Sequence, residues 1–336
     1  MPKFVLDRRT LLTATAGLLA APAVMRGARG DTPSRTLKLG YADVASSPFR
    51  KALDGFADDV RQRTNGAVVI KVFASGELGS QNNILTGMQT GIVDLAAHTA
   101  GYVQTLVPRF TAIELPYIFP DRHVAESVLD GPVGKQLFSD LPEKGIYGLS
   151  WIHWGWRPVT AVDRKAPNPT DLQGLKIRVQ PGPVYVATYK ALGAIPVTID
   201  VSEVYVALSQ RAVEAVEYPL MSVIAAKTYE VTHVTNNTNF NYNAGALMMS
   251  KRRMDGLEPG HQAAVREAAT ALSAPWRDLA VRLTAESTEF MKGRGHAFVE
   301  VDLPAYKAAV RPVYDQFRGT LPDGFVDSVM KQAASV

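Results

Sequence analysis

The chain has 336 residues, no cysteine, 46% apolar and 20% charged residues, and a formal net charge of +4. The missing thiol excludes disulfides, cysteine nucleophiles and iron–sulfur ligation, and the length supports two lobes rather than a single core. Five of the 36 basic residues and one of the 32 acidic ones precede Asp31, leaving 31 of each from Asp31 onward. That balance excludes a basic footprint for nucleic acid, so an anionic ligand has to be met by local arginines.

In chain order, Asp7-Arg8-Arg9-Thr10-Leu11-Leu12, an apolar run through Val24 and Met25, and Ala28-Arg29-Gly30 have the layout of a secretory signal peptide over 1–30. The adjacent arginines suggest the twin-arginine export route. Thr13, Thr15 and Pro22 interrupt the apolar run, which falls short of the roughly 20 residues a membrane span needs. A mature chain starting near Asp31 in the periplasm is expected, with a retained anchor as the alternative.

Short apolar runs then alternate with helical patterns, the mark of an α/β protein. Strands are expected over 36–41, 68–73 and 93–97, with a helix over 47–63 whose stripe is Phe49, Leu53, Phe56 and Val60. Ser80 is placed to cap a helix from Gln81. A strand over 146–151 leads into Trp154-Gly155-Trp156-Arg157 and a second lobe. A helix follows over 182–192 with Pro183 in its first turn, then one over 203–210 capped by Ser202. A strand over 243–250 returns to the first lobe. A long helix is expected over 259–294, and closing helices over 310–321 and 322–334.

The densest signal lies between Asp171 and Pro219. Leu175-Lys176-Ile177-Arg178-Val179 alternates apolar and polar residues as a strand does, and Pro181-Gly182-Pro183 stops it. An arginine at such a strand end sits where open α/β sheets expose their binding crevice. Its guanidinium is a rigid fork that matches a carboxylate. Position alone favours a solvated arginine in a salt bridge.

Three segments considered together decide the matter: Gly174-Leu175-Lys176-Ile177-Arg178-Val179, Ser202-Glu203-Val204-Tyr205-Val206-Ala207-Leu208, and Val213-Glu214-Ala215-Val216-Glu217-Tyr218-Pro219. They resemble the DctP-type extracytoplasmic binding proteins of TRAP (tripartite ATP-independent periplasmic) transporters, and the likeness runs from about Leu37 to the last helix. The resemblance implies an α/β, two-lobe periplasmic-binding-protein-like fold with a hinge cleft and a long helix spanning both lobes, for which 259–294 is the candidate. Lobe I is expected over 31–153 and 244–283, and lobe II over 154–243 and 284–336.

The same resemblance implies that Arg178 clamps a substrate carboxylate. Arg157 matches a second arginine that some members place opposite the first, and an inter-lobe salt bridge is its other reading. Glu217-Tyr218-Pro219 stands where the family has Glu-Asn-Pro. Tyr218 therefore replaces a ligand-bonding asparagine with one hydroxyl and a flat face, which points to a more apolar, aromatic or branched acid. Glu217 is expected to order the turn or pair with an arginine. Thr99 falls where sialic-acid-binding relatives carry a glutamate, which argues against a heavily hydroxylated sugar acid. Strand alternation sends only one of His98 and Thr99 into the cleft. Val201 matches an apolar wall position, and Asn239 is either a ligand contact or a turn asparagine bonded to backbone. Of three neighbouring tryptophans, Trp151 is expected in the core, and Trp154 and Trp156 as pocket walls.

Catalytic patterns are missing. The six histidines (His98, His123, His153, His233, His261 and His296) form no HExxH, and no GxSxG, GxxxxGK[ST] or GxGxxG occurs. No cofactor or metal is expected, and Glu217 is the one place where a metal-bridged carboxylate would be sought. The resulting expectation is a periplasmic binding protein that captures a small organic carboxylate and, as the resemblance implies, delivers it to TRAP membrane permease subunits driven by an ion gradient. A ligand sensor for a receptor kinase and an exported enzyme acting on a small acid are the alternatives.

Overall fold

Eleven strands set the frame of the computed structural model, which describes residues 35–43, 45–321 and 324–336. The expected signal peptide lies outside the described residues. The strands are β1 (Arg35–Gly40), β2 (Val68–Phe73), β3 (Leu95–Thr99), β4 (Ile146–Trp156), β5 (Val159–Ala161), β6 (Lys176–Val179), β7 (Ile195–Thr198), β8 (Ala215–Glu217), β9 (Val234–Asn236), β10 (Tyr242–Ser250) and β11 (Ala297–Val299). They form two mixed sheets, ordered β2-β1-β3-β10-β4 and β11-β9-β5-β8-β6-β7. In the first, β10 runs antiparallel to both neighbours. In the second, β5 runs antiparallel to β8 and β9.

The chain passes between the sheets three times. Two passages are short, after β4 and before β10, and they lie side by side, Arg157 N–H donating to the Asn241 carbonyl at 3.1 Å. The third is the helix Pro259–Lys292, whose 34 residues span about 51 Å. It packs on β4 and the helix Pro48–Arg63 of the first lobe and on the helix Leu220–Ala225 of the second. Trp276 anchors it: the buried indole stacks on Phe49 at 4.5 Å and donates to the His153 carbonyl at 2.8 Å. Such a stack adds about 0.5–1.5 kcal/mol beyond area burial. The fold is thus the two-lobe plan with a spanning helix that the resemblance implied.

Local expectations fare unevenly. The helix Pro48–Arg63 buries Phe49, Leu53, Phe56 and Val60, the expected stripe, and Ser80 caps Gln81–Thr90 by accepting from Asn83 N–H. Ser202 is not the cap of the next expected helix. Asp200 accepts from the Ser202 N–H and opens a short 3-10 turn, after which the helix runs over Val204–Ser209. A carboxylate accepts backbone N–H bonds more strongly than a hydroxyl, which explains the choice. The closing helix expected over 310–321 is present as Arg311–Arg318, and a further helix that was not expected, Leu303–Ala309, precedes it. Pro312 has no N–H to continue the earlier helix and suits the first turn of the later one.

Candidate functional site

Between the sheets lies a small cavity of about 40 Å³. Its walls come from both lobes: Tyr41, Asp43, Thr99, Trp154 and Asn243 on one side, Arg178, Gln180, Val201, Tyr218 and Ser222 on the other. Parallel pairing with β7 and β8 holds Arg178 within β6, and residues two apart on a strand share a face. Gln180, just past the strand end, therefore reaches the cavity beside it.

Arg178 is 1% exposed. Its Nε donates to the Ile199 carbonyl at 2.8 Å, and its carbon Cζ lies 4.9 Å from the centre of the Tyr218 ring. Nη1 lies 3.6 Å from Glu217 Oε1, too far for a hydrogen bond, and has no hydrogen-bond partner in the protein. Arg157 is held differently. Its Nε donates to Glu217 Oε2 and its Nη2 to the Glu217 carbonyl at 2.6 Å. Burial opposes the Arg157 charge, but Glu217, Tyr185 and Glu114 together outweigh it and lift the pKa above that of ordinary arginine. Glu217 Oε1 also accepts from Gln180 N–H at 2.9 Å. Glu217 thus sits behind the wall and orders both arginines and the turn at Gln180. With its oxygens so occupied it offers little to a metal, and no cluster of three potential ligands occurs among the described residues.

Tyr218 faces the cavity with a hydroxyl that has no protein partner, and burial pushes its phenol up to about 12. Thr99 lines the cavity and donates to Gln180 Oε1 at 3.1 Å, a bond between the lobes. His98 points the other way, fully buried, with Nδ1 2.9 Å from Gln81 Oε1. Burial lowers its pKa to about 4, so the ring is neutral. Val201 and Trp154 are wall residues, and Trp151 packs in the core, stacked on Phe138 at 4.4 Å.

Two expected residues are not brought to this cavity. Trp156 and Asn239 line a separate groove with Pro158 and Phe298. Alternation alone would put Trp154 and Trp156 on one face. The register of β4 against β10 shifts between Ala244 and Tyr242, and Gly155 takes φ +84° there. Such a bulge inserts an extra residue and turns the next side chain to the opposite face. Asn239 has φ +45°, a left-handed conformation that asparagine tolerates better than most residues.

Sequence reasoning passed over Tyr41, Asp43, Gln81, Tyr102, Gln180, Ser222 and Asn243, all of which line the cavity. Tyr102 Oη, Gln180 Nε2 and Asn243 Oδ1 join Arg178 Nη1 and Tyr218 Oη as buried polar atoms without a protein partner. Leaving such atoms unpaired costs about 1–3 kcal/mol each, so this arrangement favours a polar ligand. The expectation of a more apolar acid weighed Thr99 and Tyr218 alone, whereas these groups come from other elements.

Residues 39–320 match the family described as bacterial extracellular solute-binding protein, family 7, DctP. An uncharacterised protein of Sinorhizobium fredii, y4mM, is 34% identical over 79% of this chain, which spans only half the length of that relative. The 2,3-diketo-L-gulonate-binding periplasmic protein YiaO of Escherichia coli is 30% identical over 87% of this chain and 89% of its own. A TRAP periplasmic solute-binding protein of Xanthobacter autotrophicus Py2, solved with bound β-D-galacturonate, is 28% identical, with a TM-score of 0.85 over 89% of this chain and 99% of that one. The matched family is one of solute-binding proteins, not of enzymes, and this chain belongs to it: the DctP family of bacterial extracellular solute-binding proteins.

Proposed function

We propose that the protein captures a small organic carboxylate between its lobes, with Arg178 as the clamp. The carrying observation is Arg178 Nη1, a buried charged donor without a hydrogen-bond partner, aimed into a cavity beside the unpaired Tyr102, Gln180 and Tyr218 atoms. A carboxylate placed there satisfies the guanidinium and takes further bonds from the phenols and the amide. Arg157, fixed by Glu217, supports the anion electrostatically. Thr99, Val201 and Trp154 shape the walls, while Glu217 and His98 act from behind them. Lobe closure around the ligand excludes water and strengthens these charged contacts.

The similarity to a periplasmic diketogulonate binder and to a TRAP protein holding galacturonate supports a sugar acid or a related carboxylate. By the same reading, the chain is exported by the twin-arginine route and delivers its closed complex to an ion-driven TRAP permease. Lobe I spans 31–153 and 244–283, and lobe II the remainder of the mature chain. Within this division, strands β4 and β10 carry the sheet of the first lobe on to Trp156 and back from Tyr242, and the helix Phe325–Ala334 packs on the helix Arg122–Asp130 of that lobe.

Calorimetric titration of D-galacturonate into wild type and Arg178→Gln tests the clamp. Loss of a charged partner in a buried site costs about 2–5 kcal/mol, so binding should weaken at least about 30-fold. Equal affinity in the variant overturns the assignment.

A further inference from the structure

Only three charged side chains line the cavity among the described residues: Arg157, Arg178 and Asp43. Arg157 is committed to Glu217, which also lies 3.6 Å from Arg178. Two guanidinium groups and one glutamate leave a single positive charge, enough for one carboxylate. Asp43 then brings the unliganded site to neutrality. Its position matters as much as its sign. Asp43 and Ser222 also line the two grooves that adjoin the cavity, whereas Arg178 lines neither. Arg178 therefore marks the inner end and Asp43 the mouth.

Asp43 follows β1, and its Oδ2 accepts from Tyr41 Oη at 2.8 Å. A carboxylate accepts about four hydrogen bonds and donates none when ionised, so capacity remains for a ligand hydroxyl. Burial raises the Asp43 carboxyl above its ordinary range, while bonds from Tyr41 and Trp154 and the charge of Arg157 favour the anion. A ligand anchored on Arg178 turns its far end toward this group. A hydroxyl there finds an acceptor. A second carboxylate brings no donor and meets a like charge in a partly desolvated wall.

We propose that Asp43 is a specificity-determining residue that accepts a hydroxyl from the distal end of the ligand and excludes a second carboxylate. The site then takes hydroxylated monocarboxylates and rejects their dicarboxylate counterparts. The inference rests on the reading of Arg178 as the carboxylate anchor.

D-gluconate and D-glucarate form a matched pair of probes, sharing a six-carbon hydroxylated chain and differing in one terminal carboxylate. Both are titrated calorimetrically into the mature protein and into Asp43→Asn, Asp43→Glu and Arg178→Gln at pH 7.5. Wild type should favour gluconate by about 100-fold, the scale of a like-charge juxtaposition. Asp43→Asn should cut that preference below about tenfold, chiefly by improving glucarate binding, because the charge is gone but an acceptor remains for Tyr41. Asp43→Glu keeps the charge and should keep most of the discrimination. A wild-type preference below about threefold, or one that Asp43→Asn leaves unchanged, overturns the inference while the anchor stands. The same holds if neither probe binds wild type at millimolar concentration. Failure of the anchor has its own signature: gluconate binding that survives Arg178→Gln.

Discussion

The pair Arg157–Glu217 makes the strongest energetic claim about this protein. Both side chains are nearly sealed from solvent, 3% and 1% exposed. Glu217→Gln preserves the shape and the acceptor for Gln180 N–H but removes the charge that compensates Arg157. Breaking a buried ion pair by removing one partner costs about 3–5 kcal/mol, most of it the penalty of the stranded charge. Urea unfolding followed by tryptophan fluorescence should record that loss as a lower midpoint with an unchanged slope. The double variant Arg157→Leu/Glu217→Gln strands no cation, so it should lose less than the sum of the single variants by at least about 1.5 kcal/mol. Variants that act independently add within about 0.5 kcal/mol. Additivity on that scale, or a Glu217→Gln protein as stable as wild type, would refute the claim that Glu217 exists to hold Arg157.

Two further predictions follow from the lobe contacts. Glu114 is fully buried, accepts from the Tyr185 hydroxyl, and has its carboxyl raised to about 8 by burial, with Arg157 and the Tyr185 bond opposing. The folded state therefore holds a proton that the unfolded chain releases near 4.5, so Glu114 supports the fold fully below that pH and loses its contribution as pH rises through about 8. Glu114→Gln should gain stability relative to wild type between pH 5 and 9, measured as the difference in urea midpoints; a constant difference refutes the buried acid. Gly101 has no room for a side chain, since an added Cβ would collide with the Gln180 amide and lie 3.0 Å from the Tyr185 ring. Gly101→Ala should displace Gln180 from Thr99 and weaken D-galacturonate binding about tenfold, the value of one charge-free hydrogen bond. Calorimetry showing unchanged affinity would remove that inter-lobe bond from the closing contacts.

What the chain disclosed beforehand follows from the range over which each signal acts. The strand under Arg178, the Phe49–Val60 stripe and the Ser80 cap are fixed by residues within one or two turns of each other, and the structure has them where alternation and capping chemistry put them. The strands β5, β8, β9 and β11 have three residues each and carry no readable period. Pairing with neighbours distant in sequence makes them strands, so local pattern could not find them. The cavity divides the same way. Arg178 was legible because its strand was, and Gln180 could have been found by counting two residues onward. Asp43 and Tyr41 stand at the carboxyl end of β1, where crevices form in open sheets, yet Arg178 belongs to the other sheet, and only the packing of the two lobes puts them in one cavity. Trp156 shows the opposite failure: perfect local alternation, undone by one bulge at Gly155 that only the pairing with β10 reveals. Asp43 is thus the kind of residue a motif passes over, because its chemistry depends on the lobe it faces and not on its neighbours in the chain.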